Sequence, residues 1–188
     1  MASTRFWGTI IAVRARLTLA KFESETFPTC DGHYLVVDGT VTTGGDPPAP
    51  GVVTVGVGAK THAEKRFAPG DLVRGEGEPV PETSRDVCAD LYRVRTVHVL
   101  ARASDRGVAP AVDPPRTDPP LSPEAANHAP RRLLRPANLH PGNVCASCPY
   151  GTVVAVVRLS DPRDMRRGAW SKAAACLGPP DCPFYEKP

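Results

Sequence analysis

The sequence predicts a mainly β protein, a small barrel followed by a four-cysteine hairpin module that binds metal. Three observations carry that expectation. Short runs of alternating or β-branched residues fill the first hundred positions. A proline-dense stretch then interrupts the pattern. Beyond it, four cysteines flank one further hairpin as Cys145-x2-Cys148 and Cys176-x5-Cys182. The expected division is a barrel over 1–103, a linker over 104–142 and a metal module over 143–188.

Arg5 to Leu19 is a long alternating run in which Thr9, Ile11, Val13, Ala15, Leu17 and Leu19 share one face, and Arg14 and Arg16 share the other. His33 to Val41 is the second strand, with a turn-prone Asp38-Gly39 near its end. Gly44 to Gly51 is rich in proline and glycine and reads as a loop. Val52 to Val57 is the third strand, with Val53, Val55 and Val57 in register. Ala59 to Phe67 suits two turns of helix, and Pro69-Gly70 stops it. Asp71 to Val80 makes the fourth strand and Asp90 to Ala101 the fifth.

A long first strand and a single helix between strands three and four match the five-stranded Greek-key barrel, the OB-fold. Within it, the segment Phe67-Ala-Pro-Gly-Asp-Leu-Val-Arg-Gly-Glu-Gly77 resembles the phrase that opens the fourth strand in many OB-fold domains. There a turn glycine and an aspartate precede an apolar strand start. Gly70 can take the positive φ needed after the helix, and Asp71 can bond its own turn backbone. SH3-like barrels use similar turns but lack the inserted helix. The whole chain resembles a group of bacterial proteins of undefined role. That resemblance implies the architecture and no activity.

The chain holds 22 prolines, about twice average usage, and they crowd Val108 to Gly142. That stretch has little apolar periodicity and reads as an extended, semi-rigid tether. After it, Thr152 to Leu159, the turn Ser160 to Asp164, and Trp170 to Ala175 form a hairpin with a cysteine pair at each end. C-x2-C is the spacing at which one tight turn points two sulfurs at a common centre. Cys145, Cys148, Cys176 and Cys182 are therefore the expected ligands of a structural zinc ion, since four thiolates leave no position open for water. A [4Fe–4S] cluster is the alternative. Cys148 and Cys182 both precede a proline, and five intervening residues are irregular for a zinc ribbon. So small a module needs its ion to fold well. His140 reads as a solvated linker histidine, and Cys30 and Cys88 as small buried side chains.

The net charge of +3 permits a polyanionic partner without demanding one. No apolar run approaches the roughly 18 residues that cross a bilayer, so no membrane partner is expected. The short apolar run Phe6 to Val13 is broken at once by Arg14 and Arg16, which argues against a signal peptide. A cytoplasmic chain keeps its thiols reduced, which favours metal ligation over disulfides. OB-folds bind single strands through aromatic platforms and a basic rim. Trp7 and Tyr34 are the expected platforms, with Arg14, Arg16, Lys60, Arg66, Arg93 and Arg95 as the rim. Arg131-Arg132-x2-Arg135, Arg163, Arg166 and Arg167 add flexible cations. None of the H-E-x-x-H, G-x-x-x-x-G-K-S/T and G-x-S-x-G motifs occurs. The expected function is non-catalytic binding of single-stranded DNA or RNA, with a structural metal. A zinc-ribbon protein–protein adaptor is one alternative, and a [4Fe–4S] redox or iron-sensing protein is another.

Overall fold

The computed structural model describes residues 3–22, 25–81, 88–107, 135–136, 145, 148, 150–161, 163, 168–176, 178 and 182–185. Among them the protein is mainly β with one α-helix. The elements are β1 (Thr4–Phe22), β2 (Glu25–Thr43), β3 (Ala49–Gly58), α1 (Ala59–Lys65), β4 (Leu72–Pro79), β5 (Leu91–Ala101), a 3-10 turn (Ser104–Arg106), β6 (Arg135–Pro136), β7 (Gly151–Arg158) and β8 (Ala169–Cys176). The five strands and the helix read from the first hundred residues are all present. The main departure is β2, which starts at Glu25 rather than His33.

Two compact units divide the chain. One comprises Met1–Val13, Gly32–Pro81 and Ala89–Asp113; the other comprises Arg14–Asp31, Glu82–Cys88 and Pro114–Pro188. This differs from a contiguous barrel over 1–103, because β1 and β2 each contribute one part to either unit. The burial of β1 gives the reason. In its first part Phe6, Ile10 and Ala12 are buried and Ile11 is exposed; in its second part Ala15, Leu17 and Leu19 are buried. The buried phase changes around Val13, so the single face drawn through Thr9, Ile11 and Leu17 is corrected. One strand supplies two cores, and a period-2 pattern must slip where it changes core.

In the first unit the ladders run in a cycle. β1 pairs antiparallel with β4, β4 antiparallel with β5, β5 parallel with β3, β3 antiparallel with β2, and β2 also pairs with β1. Glycines permit the last contact. A Cβ on Gly8 would collide with the Asp38 carbonyl oxygen, and one on Gly39 would collide with that of Trp7. Only hydrogen fits there. The core comprises Phe6, Ile10, Leu35, Val37, Val53, Val55, Val57, Phe67, Val73, Leu91 and Val97, each side chain contributing about 1.5–3 kcal/mol on full burial.

The turn into β4 behaves as its sequence suggests. Gly70 has φ 88°, and the Asp71 carboxylate accepts the Ala68 N–H at 3.1 Å. It does more than close a turn. Buried Asp71 also accepts from Arg102 Nη1 at 2.8 Å and from the Ala103 N–H at 3.1 Å, tying the start of β4 to the end of β5. Arg102 continues the clamp by donating to the carbonyls of Arg66 and Lys65 at the end of α1.

In the second unit β7 runs parallel to β1, Thr18–Lys21 beside Ala155–Arg158, and β8 returns antiparallel along β7. The core gathers Ala15, Leu17, Leu19, Tyr150, Val154, Val156 and Ala175 with Cys148 and Cys176. Buried Thr152 donates its hydroxyl to the Ala15 carbonyl at 2.8 Å. β6 falls inside the stretch expected to be a tether: Arg135 and Pro136 pair with Cys176 and Ala175. A proline suits such a position, because an edge strand leaves its N–H side unpaired. The rest of 108–144 lies outside the described residues.

Candidate functional site

β1 and β4 pair Trp7 with Arg74 and Arg5 with Glu76; β4 and β5 pair Arg74 with His98 and Glu76 with Thr96. Successive side chains alternate between faces, so residues two apart share one. The result is two rows on the outer surface of the first unit, Trp7–Arg74–His98 and Arg5–Glu76–Thr96. Thr40, Thr42 and Pro48 complete the lining of an open groove of about 500 Å³. Its floor forms because Phe6 turns the other way, into the core, where its ring fills the space beside Gly75; a Cβ on that glycine would collide with Phe6 Cζ.

Trp7 is 52% exposed, a large aromatic surface with water on one side. Among the described residues the guanidinium groups of Arg5 and Arg74 have no hydrogen bond or ion pair. The groove thus carries two uncommitted cations beside an indole. Glu76 is its one carboxylate, and Ser3 Oγ donates to Glu76 Oε1 at 2.5 Å, leaving the second oxygen available. Such a lining suits a planar ring on the indole, an anionic group at the guanidiniums, and a donor edge at Glu76.

Of the residues expected to bind nucleic acid, only Trp7 lines this groove among those whose side chains are described. Tyr34 is 3% exposed and cannot serve as a platform; its ring covers Gly56 beside Ala89. Arg14 and Arg16 belong to the second unit. Burial pushes the Arg14 guanidinium below its ordinary value, an effect that its electrostatic interaction with Cys148 opposes. Arg14 thus lies near a thiol of the second unit and does not line the groove. Lys60 on α1 and Arg66 at its C-terminal end are exposed but do not line the groove. The side chains of Arg93 and Arg95 lie outside the described residues, as do that of Cys30 and the whole of Arg131, Arg132, His140, Arg166 and Arg167. Arg5, Arg74, Glu76 and His98 are the residues that sequence reasoning missed. Their signal is the outward i, i+2 pairing in Arg5-x-Trp7, Arg74-x-Glu76 and Thr96-x-His98, which acquires meaning only with the register.

The four C-terminal cysteines share the second unit, and all are buried and in no disulfide. Register brings their loops to one end of the hairpin: Cys176 pairs with Gly151, three residues past Cys148. The Cys148 carbonyl accepts the Gly151 N–H at 3.0 Å, and the Cys182 carbonyl accepts the Tyr185 N–H at 3.1 Å. Cys148 and Cys182 thus head matching turns, each followed in sequence by a proline and an aromatic. Cys176 Sγ accepts the Gly178 N–H at 3.3 Å. Cys145 Sγ lies 3.7 Å from the Phe184 carbonyl oxygen. Among the described residues no three His, Cys, Asp or Glu side chains are gathered closely enough to hold a metal ion. The donor chemistry, four buried unbridged thiols on paired turns, nevertheless suits a soft ion that draws them inward.

No family model, curated protein or solved structure matches the chain. Among the described residues, no helix is long and apolar enough to cross a membrane.

Proposed function

We propose that the protein is a non-catalytic binder of single-stranded nucleic acid, DNA or RNA, which it holds in the groove of its first unit. In this reading that unit is an OB-type barrel and the second is a four-cysteine module held by structural zinc. The observation that carries the function is Trp7 standing exposed between Arg5 and Arg74, neither of which is neutralised within the described residues. Stacking on an exposed aromatic is worth about 1–3 kcal/mol per base, and free guanidiniums supply the phosphate contacts that set affinity. The cyclic strand order, with α1 between β3 and β4 and the parallel β3–β5 contact, supports the barrel assignment.

Zinc is the metal that four thiolates hold most simply, and here its contribution is folding energy with no chemical step. Cys145, Cys148, Cys176 and Cys182 would ligate it, and Arg14 would offset part of the negative charge that accumulates around it.

Fluorescence anisotropy with labelled single-stranded oligonucleotides at low salt tests the binding. Affinity should fall steeply as salt rises, and Trp7→Ala should weaken it by roughly tenfold or more. Arg74→Gln should flatten the slope of log affinity against log salt by about 0.7 for each phosphate that is no longer neutralised. Absence of binding to both DNA and RNA at low salt would sink the reading, and capture of a nuclease-resistant protein partner would favour the adaptor role.

A further inference from the structure

We propose that Glu76 makes the groove selective for guanine, so that it seats one guanine base of a single strand rather than any base. This rests on the nucleic-acid reading above and names the ligand more closely. Register sets the distances. Trp7 faces Arg74 across the β1–β4 ladder, and Glu76 lies one row further along the same face, opposite Arg5 on one side and Thr96 on the other. Diagonal neighbours on a sheet face lie roughly 7–8 Å apart. That is about the reach from the centre of a stacked base to a group bonding its edge. A base lying on the Trp7 indole therefore presents an edge to the Glu76 row.

The chemistry of that row decides which base fits. The Glu76 carboxylate accepts hydrogen bonds and donates none. Ser3 Oγ already donates to its Oε1, which fixes the carboxylate's orientation. Two acceptor oxygens side by side, Oε1 keeping a second lone pair beside its Ser3 bond, match two donors side by side. Guanine alone among the four bases offers such an edge, with its ring N1–H adjacent to its exocyclic amine. Thymine and uracil offer one ring N–H between two carbonyls, and those carbonyls would face a carboxylate. Adenine and cytosine each offer an amine beside a bare ring nitrogen. A groove that accepted every base would not need an anion next to its stacking platform, since that anion also repels the phosphates that Arg5 and Arg74 attract. The cost in non-specific affinity points to a discriminating role.

The test uses the full chain and short oligothymidines in which one central residue is thymidine, guanosine, adenosine or cytidine. Anisotropy at low salt should rank the single-guanosine strand roughly tenfold above the all-thymidine strand, with adenosine and cytidine below guanosine. Glu76→Gln should abolish the preference by bringing the guanosine strand down to the affinity of the others, with the cooperative thermal unfolding by circular dichroism retained, which an unfolded variant would lose. Equal affinity for all four strands, or a guanosine preference that survives Glu76→Gln, overturns the proposal while leaving single-strand binding intact. Failure of every strand to bind overturns the nucleic-acid reading itself.

Discussion

Asp71 offers a quantitative test of the frame that holds the groove, because β4 starts beside it and carries Arg74 and Glu76. The carboxylate is 1% exposed and accepts three bonds, two from backbone N–H groups and one from Arg102 at 2.8 Å. Replacing it by alanine removes every acceptor at once. A buried donor left unmet costs about 1–3 kcal/mol, but Ala68 and Arg102 lie partly in water and recover some of that loss. The expected destabilisation is about 3 kcal/mol, near the low end for breaking a buried ion pair. Asp71→Asn keeps volume and one acceptor while opposing an amide to a guanidinium, and should cost about 2 kcal/mol. Arg102→Met exposes the carboxylate to water and should cost about 1 kcal/mol. The double variant Asp71→Ala/Arg102→Met should fall short of the sum by about 1 kcal/mol, the signature of a direct contact. Urea titrations followed by far-ultraviolet circular dichroism measure all four variants. A loss below about 1 kcal/mol for Asp71→Ala, or simple additivity in the cycle, would show that the clamp does not hold β4.

Two further outcomes concern the histidines and the thiols. His62 stacks on buried His33 with ring centroids 3.7 Å apart, and burial lowers its pKa below the ordinary histidine value. A lowered folded-state pKa means the unfolded chain takes the proton first. The stability from neutral His62 is thus complete above the ordinary histidine pKa and is lost as pH falls through the lowered one. Melting temperatures measured from neutral to mildly acid pH should drop accordingly. His62→Phe should flatten the drop, and an unchanged profile would assign it elsewhere. For the thiols, elemental analysis and a visible spectrum of anaerobically prepared protein should give one zinc per chain and no colour, and Cys148→Ser should release it and loosen the second unit. A brown protein would favour the [4Fe–4S] alternative, and a metal-free wild type would remove the site.

Much of the fold was legible because its signals are local. Alternation marked the strands, Pro69-Gly70 ended the helix, and Asp71 bonded its own turn. What failed to read was the partition of β1 and β2. Within a strand, alternation says which residues lie together, but not which core they face. The slip around Val13 is visible as Ala12-Val13-Arg14-Ala15, where the apolar phase changes from even to odd positions. Read as one face, that slip vanishes into a single run ending at Leu19. Arg14 and Arg16 keep the place expected for them, on the face opposite buried Ala15, Leu17 and Leu19, but they belong to the second unit.

The groove was illegible for a different reason. Its chemistry belongs to no segment: Arg5-x-Trp7, Arg74-x-Glu76 and Thr96-x-His98 are each unexceptional pairs on strands far apart in sequence. A composition search favours clustered arginines, and so picked out Arg93 and Arg95 and the Arg131-Arg132 pair. Register works against clustering, because a strand shows one face only every second residue, and a surface is assembled across strands. The cation that matters to Trp7 is therefore the one facing it across the ladder, Arg74, and not its near neighbour in sequence, Arg14. Tyr34 makes the converse point. It is aromatic, lies on a strand expected to carry the binding face, and is buried all the same, facing Gly56 on β3 across the ladder. Phe6 and Trp7 show what alternation decides instead: Phe6 turns inward over Gly75, where a Cβ would collide with its ring, while Trp7, the next residue, faces Arg74 and stands exposed.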